Sequence, residues 1–596
     1  MVNLQEKIAS LCPSATFEEG EYLLVNVDDK EWYSLAKSLK EELGFDYLVS
    51  VTGVDWKESL GCMYYLTSTE TNAKVSVKVA TTDRENPMLH SVSDLWKVAL
   101  IQEREVYDFF GIVFIGHPDM RRLFMRTDWV GYPLRKDYDA NPELNPLRLT
   151  AEENEDDSFT VNEGENGELT KKEYKIFGDD EYVVNFGPQH PSTHGVMRLR
   201  CAIDGETINK VIPVCGYIHR GIERLCESKS YPQTLFFTDR MDYMSSCQNR
   251  HCLCLCIEKA LGLEIPHRVQ VIRVMMDELM RMSSHLLSFG CMAMDMGATT
   301  AFVYGFRERE QILDIIEKTT GGRMSQHYHV IGGVAADVHP DFIKDVRELC
   351  AIMPERVAEY HKLFTGNIIT EKRTQGVGVV SKEEVISYGT SGPNGRASGW
   401  SCDVRKRTPY AVYGELKFDE VRYTEGDSFA RYMVRMDEVM QCVSLLEQLC
   451  DMLENFSEKD KMELMAIDSK GKISHTSSGF THESKVYLPD YEEAMQSEDN
   501  YGYYIGRQEN GERMLAVSGT EYDKAELEKA EKALLFCEFH DILPGSSIKA
   551  AEDDCLRLFS YGSEIADKYK TKAFFRLCQG QPKAKDGEIP VLVFNP

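Results

Sequence analysis

The chain has 596 residues, 42% of them hydrophobic, and a formal net charge of −29. That length predicts several domains, and the charge excludes nucleic acid and anionic lipid as direct partners. No apolar run approaches the roughly 18 residues needed to span a bilayer, and the start "MVNLQEKIAS" lacks a secretion-signal pattern, so a cytoplasmic location is expected.

Residues 1–145 mix short alternating runs ("YLVSVTGV", "KVSVKVA") with helix-like stretches ("KEWYSLAKSLKEELG"), which predicts an α+β domain. Residues 146–180 are acidic, glycine-bearing and poor in large apolar side chains, the composition of a linker. From 181 to 453 a small β part precedes a mainly helical domain. Ile272, Met275, Met276, Leu279, Met282 and Leu286 recur at helical spacing, as do Met433, Met436, Met440, Val443, Leu446 and Cys450. Residues 454–518 are polar and unassigned. Residues 519–596 are an extra helical fragment, in which the helix "KAELEKAEKALLFCEFHDILPG", starting at Lys524, is closed by Pro544 and Gly545.

The 17 cysteines do not suggest a disulfide framework, which belongs to small secreted chains. Cys252, Cys254 and Cys256 lack a fourth ligand at iron–sulfur spacing, so core packing is expected. In "GPQHPSTHG", His190 and His194 stand four apart in a glycine-bounded turn. Taken alone they read as hydrogen-bonded turn residues, since zinc asks for about four ligands.

The segment "EREVYDFFGIVFIGHPDMRRLFM", followed by "DWVGYPLRKDY", closely resembles the signature of the C subunit of proton-pumping NADH–quinone oxidoreductase, respiratory complex I. Its charges, Glu103, Arg104, Glu105, Asp108, Asp119, Arg121 and Arg122, predict a surface ion-pair network, a docking edge for neighbouring subunits, or both. Beyond the linker, "VVNFGPQHPSTHGVMRLR", "GYIHRGIE", "DRMDYMSS", "MDELMRMSSHLLSFG", "MDMGATT", "FRERE", "IGGV" and "SGPNGRASG" follow in order. The series resembles the D subunit of the same complex, kin to the large subunit of nickel–iron hydrogenases. The absence of paired Cys-x-x-Cys motifs argues against hydrogenase activity.

This resemblance, over residues 15–453, implies a pocket for a quinone headgroup. His194 matches the headgroup histidine, Tyr243 the tyrosine facing it, and Asp295 the acid paired with that histidine. A phenol and an imidazole can each donate a hydrogen bond to one quinone oxygen, and imidazole can pass on a proton near neutral pH. The motifs favour this role for His194 and leave His190 as a less specific neighbour. Arg220 matches an arginine beside the terminal iron–sulfur cluster of a partner subunit; its plainer reading is an ion pair with Glu223.

The implied partners are the B and I iron–sulfur subunits, the G subunit, the membrane-embedded H subunit and quinone as substrate, at the cytoplasmic side of the inner membrane. No cofactor is expected on this chain alone, and no turnover from it in isolation. A second resemblance, through "FHDILPGSS" and "QPKAKDGEIPVLVFNP", is to the helical middle of zinc-dependent α-mannosidases, where His540 would match a zinc ligand. The other ligands and the nucleophile are missing, so a glycoside hydrolase is the alternative and an inactive one. Two truncated partners in one chain would also fit a rearranged, non-assembling gene product.

Overall fold

The computed structural model describes residues 2–18, 20, 22–127, 129–138, 156–164, 166–178, 180–190, 195–457 and 568. The chain divides into two compact units, and all that follows concerns the first, Met1–Ser228 with Leu235–Gly479. A β-rich N-terminal region precedes a helical one, as the alternating and helical periodicities predict.

The first sheet has the order β1 (Thr16–Glu18), β2 (Leu23–Val27), β5 (Lys74–Thr81), β4 (Leu60–Thr67), β3 (Tyr47–Asp55), with β2–β5 its one parallel pair. After α1 (Val2–Leu11), α2 (Asp29–Glu41) starts on an Asp28 side chain that accepts from the Lys30 amide. It buries Trp32, Leu35, Ala36 and Leu39, a stripe at helical spacing. α3 (Ala99–Phe110) turns Val106, Phe109 and Phe110 into the same core.

The linker expectation fails over 157–175. β6 (Met88–His90), β7 (Val113–Ile115), β8 (Asp157–Glu163) and β9 (Leu169–Lys175) form a second sheet in that order. β8 and β9 are a hairpin closed at Gly164–Gly167, and Val161 is buried against β7. The outer strand carries Lys171, Lys172 and Lys175 and is mostly exposed. A lysine-rich edge strand protects itself from further pairing, and that same composition resembles a linker in sequence.

The second region opens with a three-stranded antiparallel sheet, β10 (Tyr182–Phe186), β13 (Arg198–Asp204) and β14 (Thr207–Val214), and the short pair β11 (Gln189–His190) and β12 (Gly195–Val196). α4 (Ile222–Glu227), α5 (Tyr231–Met241) and α6 (Ser246–Leu261) lead to α7 (His267–Asp295) and α8 (Thr299–Thr320). A two-residue hairpin, β15 (His329–Val330) and β16 (Gly333–Val334), precedes α9 (Phe342–Tyr360). Four short helices, α10 to α13 (Ile368–Thr374, Lys382–Ser387, Gly392–Ala397, Val404–Arg407), precede α14 (Ser428–Glu454). No helix among the described residues is long and apolar enough to cross a membrane.

α7 is the axis of this region, packed by α6, α8, α14 and β16. The methionine-rich stripe is in the core as expected: Ile272, Met275, Met276, Leu279, Met282 and Leu286 are all buried. So are Arg273, Asp277 and Glu278, because α7 is enclosed on every side from Val271 to Met280. Buried charges persist only when paired. Arg273 forks onto both oxygens of Glu258 (2.6 and 3.0 Å). Glu278 accepts from Arg405 (3.1 Å) and the Tyr413 hydroxyl (2.6 Å). Glu438 on α14 accepts from Arg396 (2.6 Å) and pairs with His285 (2.8 Å).

The two regions are joined by specific contacts. The Tyr47 hydroxyl donates to Gly389 O (2.9 Å) and its ring lies against Trp400. Arg407 donates to Thr69 O (2.8 Å) and Ser68 O (3.1 Å), while Asn72 donates to Arg407 O (3.1 Å).

Replacing Arg405 by Met should cost about 3 kcal/mol in denaturant unfolding. It leaves the buried Glu278 with Arg281 as its one guanidinium partner among the described residues, and takes the partner from buried Asp403. A second prediction concerns His90, whose ring joins Asp29 (2.7 Å) and Glu163 (3.0 Å). The Asp29 hydrogen bond, helped by Glu163 and opposed by burial, raises its pKa from 6.5 to about 9. The pairing therefore contributes fully below the unfolded value and fades as pH climbs through about 9. Melting curves between these values should lose about 1 kcal/mol or less, and His90→Gln should flatten that slope.

Candidate functional site

The turn that carries the two histidines is framed by β11 and β12, with His190 opposite Gly195. Gly187 at its entry has φ +95°, and a Cβ there would stand 2.0 Å from Met197 O, so only glycine fits. His194 falls on 191–194, outside the described residues, as does the side chain of His190.

Tyr243 lies in the turn between α5 and α6. The Asp242 side chain accepts from the Met244 amide (3.0 Å) and the Asp242 carbonyl accepts from Asn249 (3.2 Å), a local Asx turn that holds the backbone. The Tyr243 ring is 45% exposed. Asp295 is the last residue of α7, exposed, ahead of the Gly297 turn into α8.

Two residues that sequence reasoning did not single out connect these positions. Arg309 of α8 is buried, and its guanidinium is an electrostatic neighbour of both Tyr243 and Cys291. Cys291, one helical turn before Asp295 on α7, has Asp295 and Arg309 as its charged neighbours. Burial pushes the Arg309 guanidinium down from its usual range. Its Nε has no hydrogen-bond partner, and its ion pair with Glu310 is long, 3.9 Å. Arg309 is thus an electrostatic neighbour of Tyr243 and of Cys291, and Cys291 in turn of Asp295. A usable signal was present: Arg309 sits in "FRERE", and Cys291 is at i−4 from Asp295, which places them on one helix face.

Arg220 is exposed in the turn after β14, and no carboxylate among the described residues pairs with it, Glu223 included. The neighbouring His219 stacks on Phe109 (4.9 Å) and Phe124 (5.2 Å). Gly216 packs so close to Phe124 that a Cβ would stand 2.4 Å from its carbonyl. The turn is therefore seated on the N-terminal region, and Arg220 projects from a fixed base.

The charged signature following Glu103 is not a surface network. Glu103 and Asp108 are fully buried and Arg104 nearly so. Asp108 accepts from Arg122 (2.9 Å) and from the amides of Leu123, Phe124 and Met125 (3.0, 2.7 and 2.8 Å). Glu103 accepts from Ser91 (2.6 Å) and the Val92 amide (2.8 Å), and burial raises its pKa to about 8. Asp108 thus folds the "RRLFM" segment back onto α3, while Glu103 ties α3 to the Ser91–Val92 segment. Packing also holds for only part of the cysteine group: Cys254 is buried, whereas Cys252 and Cys256 are exposed. Positions i and i+2 of a helix point roughly 200° apart, so three alternating residues cannot share one face. His540, with the rest of 458–567, lies outside the described residues.

Comparisons with known proteins follow the same division. The family model for the respiratory-chain NADH dehydrogenase 30 Kd subunit matches residues 25–143, and that for the 49 Kd subunit matches 295–524. The latter runs through the whole of 454–518, the segment that the sequence reading leaves unassigned. The alpha mannosidase middle domain model matches 486–576, weakly. The NADH-quinone oxidoreductase C/D subunit of Phocaeicola vulgatus is 54% identical over 451 residues, covering 76% of this chain and 86% of that protein. That of Bacteroides thetaiotaomicron is 52% identical, covering 76% and 87%, and that of a Sulfurihydrogenibium species 35%, covering 86% and 92%. Among solved structures, the membrane-bound sulfane sulfur reductase (MBS), an archaeal respiratory membrane complex, aligns with a TM-score of 0.47 at 30% identity, over 49% of this chain and 78% of that one. With relatives this similar over this share of their length, the chain belongs to the family of fused C/D subunits of NADH-quinone oxidoreductase.

Proposed function

We propose that the chain is a peripheral-arm subunit of a proton-pumping NADH–quinone oxidoreductase and forms the quinone-headgroup pocket. Electrons arrive from an iron–sulfur cluster in a partner subunit, beside Arg220. The proposed neighbours are the B, I, G and H subunits, on the cytoplasmic side of the inner membrane. What supports the site is the electrostatic link of Tyr243 to Arg309 and, through Cys291, to the end of α7 that carries Asp295.

Reduction takes two electrons and two protons to turn each quinone carbonyl into a hydroxyl. Tyr243 Oη–H and a ring N–H of His194 donate to the two oxygens as negative charge builds there. Asp295 favours the protonated imidazole and fixes its orientation. His190 lies at the entry of the same turn. Arg309, a buried cation held only loosely by Glu310, adds a positive field that favours the reduced ring over the oxidised one.

In the assembled complex, Tyr243→Phe should lower quinone reduction by about 10²-fold, the scale of one lost transition-state donor, with subunit content unchanged. Electron transfer from NADH to an artificial acceptor upstream should remain at the wild-type rate. Wild-type quinone reduction in both Tyr243→Phe and His194→Ala would remove the assignment. Asp295→Asn takes away the anion that stabilises the imidazolium, so the alkaline limb of the pH–rate profile should move to lower pH.

A further inference from the structure

A separate cluster of side chains lies where α6, α7 and β15 meet. His251, Asp277 and His329 are each only about 1% exposed or less, and one ligand atom from each lies within 4.8 Å of the others. The Asp277 carboxylate contacts His251 Nδ1 at 2.6 Å and His329 Nε2 at 3.4 Å. Unlike Glu258, Glu278 and Glu438, each of which has an arginine, Asp277 has no Lys or Arg partner among the described residues. The remaining ring nitrogens, His251 Nε2 and His329 Nδ1, are buried without a hydrogen-bond partner. So is Gln248 Oε1, although Gln248 Nε2 donates to the Asp277 carbonyl (2.7 Å).

A buried carboxylate flanked only by imidazoles, with no guanidinium or ammonium paired to it among the described residues, lacks a fixed positive partner. It is well suited to a cation. We propose that His251, Asp277 and His329 bind one divalent first-row transition ion of the zinc class, and that this ion ties α6, α7 and β15 together. Two imidazoles and one carboxylate are ligands that such ions prefer, whereas Ca²⁺ and Mg²⁺ call for mostly oxygen. A tetrahedral ion with bonds near 2.0–2.1 Å needs ligand atoms about 3.4 Å apart. The three ligand atoms already lie within 4.8 Å of one another, so small side-chain movements bring them to that spacing. None of the three is solvent-accessible, so the ion enters as the chain folds and is then retained.

The test uses the full chain produced in cells supplied with zinc or, separately, cobalt, then dialysed against EDTA. About one equivalent of metal per chain should remain in the wild type and be lost in His329→Asn and in Asp277→Asn. The cobalt form should show a visible ligand-field band with no sulfur-to-cobalt charge-transfer band, which separates this site from adventitious binding by the cysteines. The melting temperature of zinc-loaded wild type should exceed that of the same protein refolded without metal, and the difference should vanish in Asp277→Asn. Metal-free wild type, or retained cobalt with thiolate bands that persist in the variants, overturns the proposal. If a variant does not fold, the wild-type cobalt spectrum decides alone: nitrogen and oxygen ligation supports the site and sulfur ligation overturns it.

Discussion

A helix with no wet face must have its counter-charges brought to it by its neighbours. α7 is in that position, with Arg273, Asp277 and Glu278 enclosed along with its methionines and valines. Each charge fixes one packing partner: Glu258 on α6 for Arg273, Arg405 on α13 for Glu278, and His251 with His329 for Asp277. Apolar packing holds these elements close but tolerates sliding; a forked guanidinium–carboxylate pair does not. The pairs therefore set the register of the helical region around its axis. That register is what brings the C-terminal end of α7, with Cys291 and Asp295, alongside Arg309 on α8.

The N-terminal region contributes to the same geometry from outside. Its signature segment is folded inward by Asp108, which collects three backbone amides and a guanidinium. That fold presents Phe109 and Phe124 as a stacking platform for His219, and so positions the turn that carries Arg220. Arg407, Tyr47 and Asn72 make a second, hydrogen-bonded joint. Fusion of the two regions in one chain is thus matched by contacts that hold one against the other.

The sequence misled where one composition serves two physical purposes. Lysine and acid alternating around glycine look like a solvated linker, yet in 157–175 they belong to an edge hairpin, whose outer strand uses those lysines to stay soluble. Dense charge around Glu103 looks like surface, yet Glu103 and Asp108 are internal because backbone amides and hydroxyls solvate them as water would. The alternation of Cys252, Cys254 and Cys256 suggested shared burial, but the helical period sends the middle residue inward and its neighbours out. In α7 the pattern pointed the other way: Gln270, Arg273, Asp277 and Arg281 recur at helical spacing as a polar stripe that resembles a solvent face, yet neighbouring elements bury Arg273 and Asp277.

From sequence alone came the division into an α+β region and a helical one, the buried stripe of α7 and the buried to half-buried stripe of α14, and the ordered motifs that carry the kinship. These follow from local periodicity and from residue identity, both of which are written along the chain. The companionship of Arg309 and Cys291 with Tyr243 and Asp295, and the meeting of His251, Asp277 and His329, were decided by tertiary structure. The residues of each group come from separate helices, turns or strands, and only the packing of those elements around α7 fixes which side chains face one another.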